Sequence, residues 1–186
     1  MSFAEYSLVF ISILVGYIVT VIMSGWGELI KHFDRSKFSA LYLLWSLSLF
    51  FYLLFIWLWA FKGYNKNLDY LDSPTFLYYI IIRLLLMYFA IATLTPDKEW
   101  NYNFKSHFLS VSKRFYIILI ILWSYELLLY PLTRYVAFNP RMLLYLINLP
   151  ISVTVFFVKS EKIEMVLAVI FIVVQILANL VVLDLM

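Results

Sequence analysis

Two charged side chains of this sequence, Arg83 and Glu126, lie inside long apolar runs. The stretch FLYYIIIRLLLMYFAIATL, residues 76–94, holds Arg83 as its one charged residue, and Glu126 stands in a similar run further along. An ionised side chain in hydrocarbon costs about 2.5 to 3.5 kcal/mol on insertion scales, so such residues face the protein interior and pair with one another. The sequence therefore predicts a buried ion pair between Arg83 and Glu126.

Three amide side chains fall near the same depth as this pair. With the α-helical rise of about 1.5 Å per residue, Arg83 and Glu126 lie about 9 to 10 Å below one membrane surface. Asn148 and Asn179 lie about 9 to 12 Å below that surface on the same rise, and Gln175 is one turn deeper. Together with the ion pair, these three amides predict a polar layer within the bundle. It either fixes the register of the helices by hydrogen bonding or lines a cavity for an ion, a proton or a small polar ligand.

A second group of reactive side chains follows the first apolar run. Glu28 and His32 are four residues apart, so they share a helix face, and this spacing suits metal binding or proton transfer. The other histidine, His107, is predicted at the same membrane face, but both histidines lie near water, which disfavours a two-histidine haem site. A surface network of Glu28 with Lys31 or Arg35 is favoured instead. We predict no metal site and no cofactor.

Several motifs that identify enzymes or ion channels are absent from the sequence. It contains no Gly-rich phosphate loop, nucleophile elbow, HExxH or selectivity-filter motif. Cysteine is absent too, which excludes thiol chemistry, disulfides and Cys-ligated metals. The basic residues are scattered over short connections, with no clustered face for a nucleic acid partner. A membrane enzyme acting on lipid is the third hypothesis for the function. Only four residues could supply its catalytic groups: Glu28, His32, Asp97 and His107.

The elements that carry these residues are predicted to be membrane-spanning helices. Of 186 residues, 65% are apolar and 13% are charged, and the mean hydropathy is +0.94, far above that of a soluble domain. The sequence therefore predicts an all-α integral membrane protein, residues 1–186, with a bundle of about six transmembrane helices in one domain. The predicted spans cover residues 6–30, 38–61, 76–94, 115–132, 142–158 and 165–183. The first is kept as a span, because its leader has no basic residue and no A-x-A cleavage site follows.

Residues 96–112, before the fourth span, are predicted to form an amphipathic helix in the membrane interface. Pro96 suits a first helical position, and Trp100, Phe104 and Phe108 recur at helical spacing, as on the apolar face of an interfacial helix. The alternative is that the fourth span simply starts earlier and its first turns protrude.

The lysines and arginines of the connections predict the orientation in the membrane. Nine of them follow the first, third and fifth spans: Lys31, Arg35, Lys37, Lys98, Lys105, Lys113, Arg114, Lys159 and Lys162. Four follow the second and fourth spans: Lys62, Lys66, Arg134 and Arg141. The positive-inside rule therefore predicts both termini outside the cytoplasm, and we expect the inner or plasma membrane of a prokaryote.

Small residues recur along one side of the first span. Ser12, Gly16, Thr20 and Ser24 fall every fourth residue. Helices associate in lipid through close backbone approach, so this stripe predicts a packing seam. Its partner is another helix of the chain or a second copy, and a homo-oligomer is expected. Ser12 also falls at the depth of the polar layer.

The sequence thus favours a small channel, carrier or ligand-binding membrane subunit, with the polar layer around Arg83 and Glu126 as its site. The alternative is a non-catalytic structural or sensing subunit of a larger membrane complex. The expected partners are the lipid bilayer, further copies or a membrane-complex partner, and an ion or small polar ligand.

Overall fold

The computed structural model describes residues 2–34, 37–65, 73–96, 102–133, 140–158 and 160–184. These residues form six α-helices and, within the described ranges, no strand. The helices are α1 (Phe3–Lys31), α2 (Ala40–Asn65), α3 (Pro74–Leu94), α4 (Phe104–Thr133), α5 (Pro140–Phe157) and α6 (Glu161–Asp184). The prediction of an all-α bundle is confirmed.

Local sequence signals explain where α1 and α3 begin, and α5 contains an internal proline. α1 starts with a capping box, in which the Glu5 N–H donates to Ser2 Oγ at 3.2 Å and the Ser2 N–H donates to a Glu5 carboxylate oxygen at 2.8 Å. α3 starts at Pro74, where the missing N–H has no helical partner to lose. α5 continues through Pro150, since neighbouring helices can meet the needs of the freed carbonyl.

Five of the described helices contain segments long and apolar enough to cross a membrane, namely α1, α2, α3, α4 and α6. In α5 the described apolar segment, Leu144–Phe157, is shorter. The chain is therefore a polytopic membrane protein by the length and composition of its helices. Whether α5 crosses the bilayer stays a prediction, as does the orientation.

The structure differs from the prediction of a separate interfacial helix over residues 96–112. α4 is continuous from Phe104 to Thr133, so the early start of the fourth span is what occurs. Residues 97–101 lie outside the described residues. No glycine or proline stands between residues 104 and 130, so nothing in the sequence interrupts the backbone hydrogen bonds of this helix before Pro131.

The apolar face of the first turns of α4 packs into the bundle and does not lie on lipid. Phe104 and Phe108 are buried, and the Phe104 ring centroid lies 4.8 Å from that of Tyr42 on α2. An amphipathic pattern is common to an interfacial helix and to a helix that packs on a protein. The periodicity alone could not tell the two apart.

α2 lies at the centre of the bundle, where it packs against α1, α3, α4 and α6. Trp45 illustrates this position, because its ring meets Phe115 of α4 edge to face at 5.5 Å and Phe171 of α6 at 5.2 Å. Further along α2, Leu49 and Tyr52 are also fully buried. The remaining helices surround α2 through the contacts α1 with α3, α3 with α4, α4 with α5 and α5 with α6.

α1 crosses α2 closely at Gly25. A Cβ atom at this position would overlap the hydroxyl oxygen of Tyr42, so a larger residue would require the Tyr42 side chain to move. The neighbouring Trp26 donates its indole N–H to Ser46 Oγ of α2 at 2.8 Å. This crossing fixes α1 on α2 near the end of the bundle where α1 ends.

Candidate functional site

α3 and α4 bring Arg83 and Glu126 together inside the bundle. The Nε atom of Arg83 lies 2.6 Å from Oε1 of Glu126. The two residues are 1% and 0% exposed, so neither reaches lipid headgroups or bulk water. The ion pair that the sequence predicts is therefore present in the structure. Its use as a binding site stays a prediction.

Two tyrosine hydroxyls complete the surroundings of the pair. Arg83 donates from Nε to the Tyr52 hydroxyl at 2.8 Å and from Nη2 to the same oxygen. Its guanidinium carbon lies 4.7 Å from the centroid of the Tyr52 ring, within the range of a cation–π interaction. Tyr79, one helical turn before Arg83, donates its hydroxyl to Oε2 of Glu126. Each charge thus meets the opposite charge and a hydroxyl group.

Aromatic rings enclose this cluster. The ring of Tyr125 stacks on that of Tyr79 at 5.5 Å, and its hydroxyl donates to the Tyr79 carbonyl at 3.1 Å. Trp123 packs edge to face on Tyr52 at 4.7 Å, and Tyr145 of α5 stacks on Trp123 at 6.2 Å. These rings keep water from the ion pair, so its attraction acts in a medium of low dielectric constant and the desolvation cost of both ions is also large.

The amides of Asn148 and Gln175 are fully buried on α5 and α6. Neither side-chain oxygen nor side-chain nitrogen of either residue has a hydrogen-bond partner among the residues that the structure describes. Leaving a buried donor or acceptor unsatisfied costs about 1–3 kcal/mol. Such groups call for an explanation, and one explanation is a bound water or ligand.

The Trp123 ring contacts residues on both sides, near the two amides and near the ion pair. Phe171, one turn before Gln175, lies 5.5 Å from Trp123, and Tyr145, three residues before Asn148, stacks on the same indole. The indole nitrogen of Trp123 also lacks a partner within the described part of the chain. Because Tyr52 contacts Trp123 as well, this indole lies between the charged cluster and the two amide-bearing helices.

Asn179 and Ser12 occupy helix contacts. Asn179 donates from Nδ2 to the Phe51 carbonyl of α2 at 3.1 Å and to the Gln175 carbonyl at 2.9 Å. Ser12 accepts from the Trp57 indole N–H at 3.2 Å and donates to the Leu8 carbonyl at 2.8 Å. Asn179 therefore joins α6 to α2, and Ser12 joins α1 to α2.

The rest of the small-residue stripe lies on the outer side of α1. Gly16, Thr20 and Ser24 are exposed, and a Cβ atom at Gly16 would meet no atom within 4 Å. Thr20 turns its hydroxyl back to the Gly16 carbonyl at 2.8 Å. The face of α1 that packs on the bundle carries larger residues: Ile11, Val15, Ile18, Ile22 and Leu29. The seam itself stays a prediction, with its partner outside the described chain.

The candidates near the end of α1 form two separate sets of contacts. Glu28 lies 3.2 Å from Nε2 of His32 and 3.8 Å from Nζ of Lys31, and the His32 ring stacks on Tyr102 at 4.2 Å. His107 is buried, with Nε2 at 3.1 Å from the Thr93 carbonyl.

The remaining group of the lipid-enzyme hypothesis, Asp97, lies outside the described residues. Among the described ones, no three His, Cys, Asp or Glu side chains are grouped closely enough to hold a metal ion.

Sequence reasoning missed the tyrosines and tryptophan of the site. Tyr79 carries a usable signal, since it stands four residues before Arg83 and so shares its helix face. Tyr52 and Trp123 carry a weaker one, because both stand several residues inside an apolar run, where a polar aromatic tip needs a partner.

Comparison of the chain with protein-family models, with curated proteins and with solved structures gave no match. The fold and the site define a class, a polytopic α-helical membrane protein with a buried charged cluster inside its bundle. Function must therefore be inferred from the geometry of this cluster and its neighbours.

Proposed function

We propose that the protein is a membrane carrier that binds a small polar solute in the layer around Arg83 and Glu126. The observation that supports this most is the combination of a fully buried ion pair with two fully buried amides that lack partners among the described residues. Ionisable groups within membrane helices are expensive and are typical of solute and ion pathways. Helix packing alone requires neither group.

A carrier is favoured over an open channel because the layer is closed. Arg83, Glu126, Asn148 and Gln175 are each 1% exposed or less, so solvent reaches none of them in this conformation. A conducting channel needs a wetted path past its selective groups. A carrier encloses its site and opens it by moving helices against one another.

The contacts around the layer support a proposal for which helices move. The Arg83–Glu126 pair and the Tyr79 hydroxyl fasten α3 to α4, and these two helices pack extensively along each other. α5 and α6 contact each other much less, and the amides of Asn148 and Gln175 lie on them. We expect α3 and α4 to move as a unit, with access to the layer arising at α5 and α6.

The second candidate function is a structural or sensing subunit of a membrane complex. One observation favours it: Tyr52 and Tyr79 already bond both members of the ion pair from within the chain. A closed network of this kind can fix helix register without a ligand. The partner would then be another polypeptide or a second copy, and the exposed stripe of Gly16, Thr20 and Ser24 is the surface that we propose for it.

Osmotic swelling of proteoliposomes tests the carrier proposal over several classes of solute. Vesicles with and without the protein are exposed to glycerol, urea, acetamide, glycine, methanesulfonate and tetramethylammonium, and light scattering reports entry. At least one solute should enter faster when the protein is present, and Arg83→Met and Glu126→Gln should each abolish the difference.

Matched controls separate the layer from general charge effects. Lys113→Met and Glu161→Gln each remove one charge from an exposed residue, so uptake should persist in both. If no solute enters faster than in protein-free vesicles, although gel filtration and circular dichroism show an intact protein, the carrier proposal fails. A co-purifying membrane polypeptide would then support the second candidate.

A further inference from the structure

We infer that the solute is an uncharged molecule with both hydrogen-bond donors and acceptors, of the amide or hydroxyl class, and that Asn148, Gln175 and Trp123 bind it. This inference rests on the proposed carrier function and names the groups that contact the solute. The ion pair then holds α3 and α4 in position and does not contact the solute.

The charged cluster has no charge left for a solute. Arg83 and Glu126 neutralise each other at 2.6 Å, and each of them also bonds a tyrosine hydroxyl. An ion that entered the layer would stay uncompensated in a water-free interior, which is strongly unfavourable. The electrostatics of the layer therefore favour a neutral solute.

The amides and the indole offer a matched set of polar groups. Each carboxamide has two N–H donors and a carbonyl acceptor, and the indole has one N–H donor. None of these atoms in Asn148, Gln175 and Trp123 has a partner among the described residues. A solute that presents a carbonyl or hydroxyl oxygen together with an N–H or O–H group would satisfy both kinds.

Neighbouring polar groups leave the two amide side chains unused. Ser152, one turn beyond Asn148, donates to the main-chain carbonyl of Asn148 at 2.9 Å. Asn179, one turn beyond Gln175, donates to the main-chain carbonyl of Gln175 at 2.9 Å. In both cases the neighbour bonds the backbone, and the buried side-chain amide remains free to bind a solute.

The site lies between two helices that pack lightly against each other. α5 and α6 share fewer contacts than α4 shares with α5 or α2 with α6. Tyr145 of α5 and Phe171 of α6 both pack against the Trp123 ring. The amide-bearing faces of these two helices are therefore directed toward the same indole. Separation of α5 from α6 would open this region and leave the ion pair intact.

The swelling assay tests solute class with compounds of similar size and different charge. Methanesulfonate is supplied as its potassium salt with valinomycin and tetramethylammonium as its membrane-permeant thiocyanate salt, so that a counter-ion can follow each ion. Acetamide should enter protein-containing vesicles faster than protein-free ones, whereas methanesulfonate and tetramethylammonium should not. Asn148→Leu and Gln175→Leu keep the side-chain volume and remove the amides, so each should lower acetamide entry by about tenfold or more. Asn103→Leu removes an amide that caps α4 far from the layer and should leave entry unchanged.

The outcomes separate this inference from the carrier proposal. Entry of a charged probe at the rate of acetamide, or undiminished acetamide entry in folded Asn148→Leu and Gln175→Leu, overturns the inference and leaves the carrier standing. Should the leucine variants fail to fold, the selectivity of the unaltered protein between acetamide and the two ions still decides. Entry of no solute at all defeats the carrier proposal itself, and buried water then accounts for the amides.

Discussion

The ion pair between α3 and α4 and the amides of α5 and α6 are all buried polar groups, yet their surroundings differ. Arg83 and Glu126 meet each other and the hydroxyls of Tyr52 and Tyr79. The amides of Asn148 and Gln175 meet no hydrogen-bonding group among the described residues. The bundle thus contains one polar region in which each charged group has partners within the chain, and one in which the amides have none among the described residues.

The difference follows from what each kind of group costs when it is buried. An unpaired ion in hydrocarbon is far more costly than an unpaired amide, so Arg83 and Glu126 can be kept only if the chain itself provides for them. A neutral amide can remain unsatisfied at a cost that a bound solute or water removes. We therefore expect the two regions to respond in opposite ways to substitution.

The largest effect is expected from removing one member of the ion pair. Arg83→Met or Glu126→Leu leaves the other ion buried and alone, and each should lower the free energy of unfolding by about 3–5 kcal/mol. The double variant Arg83→Met with Glu126→Leu should lose much less than either single variant, because no lone ion remains. Unfolding in mixed detergent micelles, followed by circular dichroism, measures all three. A double variant less stable than both single ones would contradict this view of the pair.

A smaller effect is expected from the hydroxyls that surround the pair. Tyr52→Phe and Tyr79→Phe each remove a hydrogen bond to a charged group, at a cost of about 1.5–3 kcal/mol in the free energy of unfolding. Tyr125→Phe is the matched control, since its hydroxyl donates to a neutral carbonyl, and it should cost about 0.5–1.5 kcal/mol. The same unfolding assay applies. Equal losses in all three variants would show that the charges do not strengthen these bonds.

A substitution at the crossing of α1 and α2, outside both polar regions, provides a reference for these changes in the free energy of unfolding. Gly25→Ala places a methyl group on the Tyr42 hydroxyl and should cost about 1–3 kcal/mol by overpacking. Addition of Tyr42→Phe removes that hydroxyl and should recover part of the loss.

Gly16→Ala is the control for this steric change, because nothing lies within 4 Å of its Cβ position. It should leave stability unchanged or raise it slightly, since alanine favours the helix. If Gly16→Ala destabilised the protein as much as Gly25→Ala, the exposed stripe of α1 would have a partner in the purified protein.

The smallest effect on stability is expected from the amides. Asn148→Leu and Gln175→Leu replace unsatisfied groups with apolar ones of similar size, so the free energy of unfolding should stay within about 1 kcal/mol of the unaltered protein or rise. The unfolding assay is run without added solute. A loss as large as that of Tyr79→Phe would mean that the amides are satisfied and belong to the structure.

The central pair could be predicted from the sequence because a helix has a fixed rise. Counting residues from the span ends put Arg83 and Glu126 at one depth, and the cost of a lone ion then required them to meet. The helices themselves followed from hydropathy, although α4 begins earlier than predicted because its first turns have a protein surface to pack on.

Other features could not be predicted because several residue types satisfy the same physical rule. Small residues suggest a seam on α1, but branched apolar residues such as Ile11 and Ile18 pack the bundle equally well. Tyrosines belong both to interfacial belts and to buried networks, so Tyr52 gave no decisive signal. Whether Gln175 finds a partner depends on distances across helices, which sequence spacing does not encode.

The contact of α2 with α6 has a consequence for how the chain is made. Asn179 reaches the Phe51 carbonyl across 128 positions of sequence, and Phe171 covers one side of Trp45. During translation α2 enters the bilayer long before α6 leaves the ribosome. Until then the Trp45 side of α2 faces lipid or insertion machinery, so a nascent chain interrupted before α6 would expose this surface to membrane quality control.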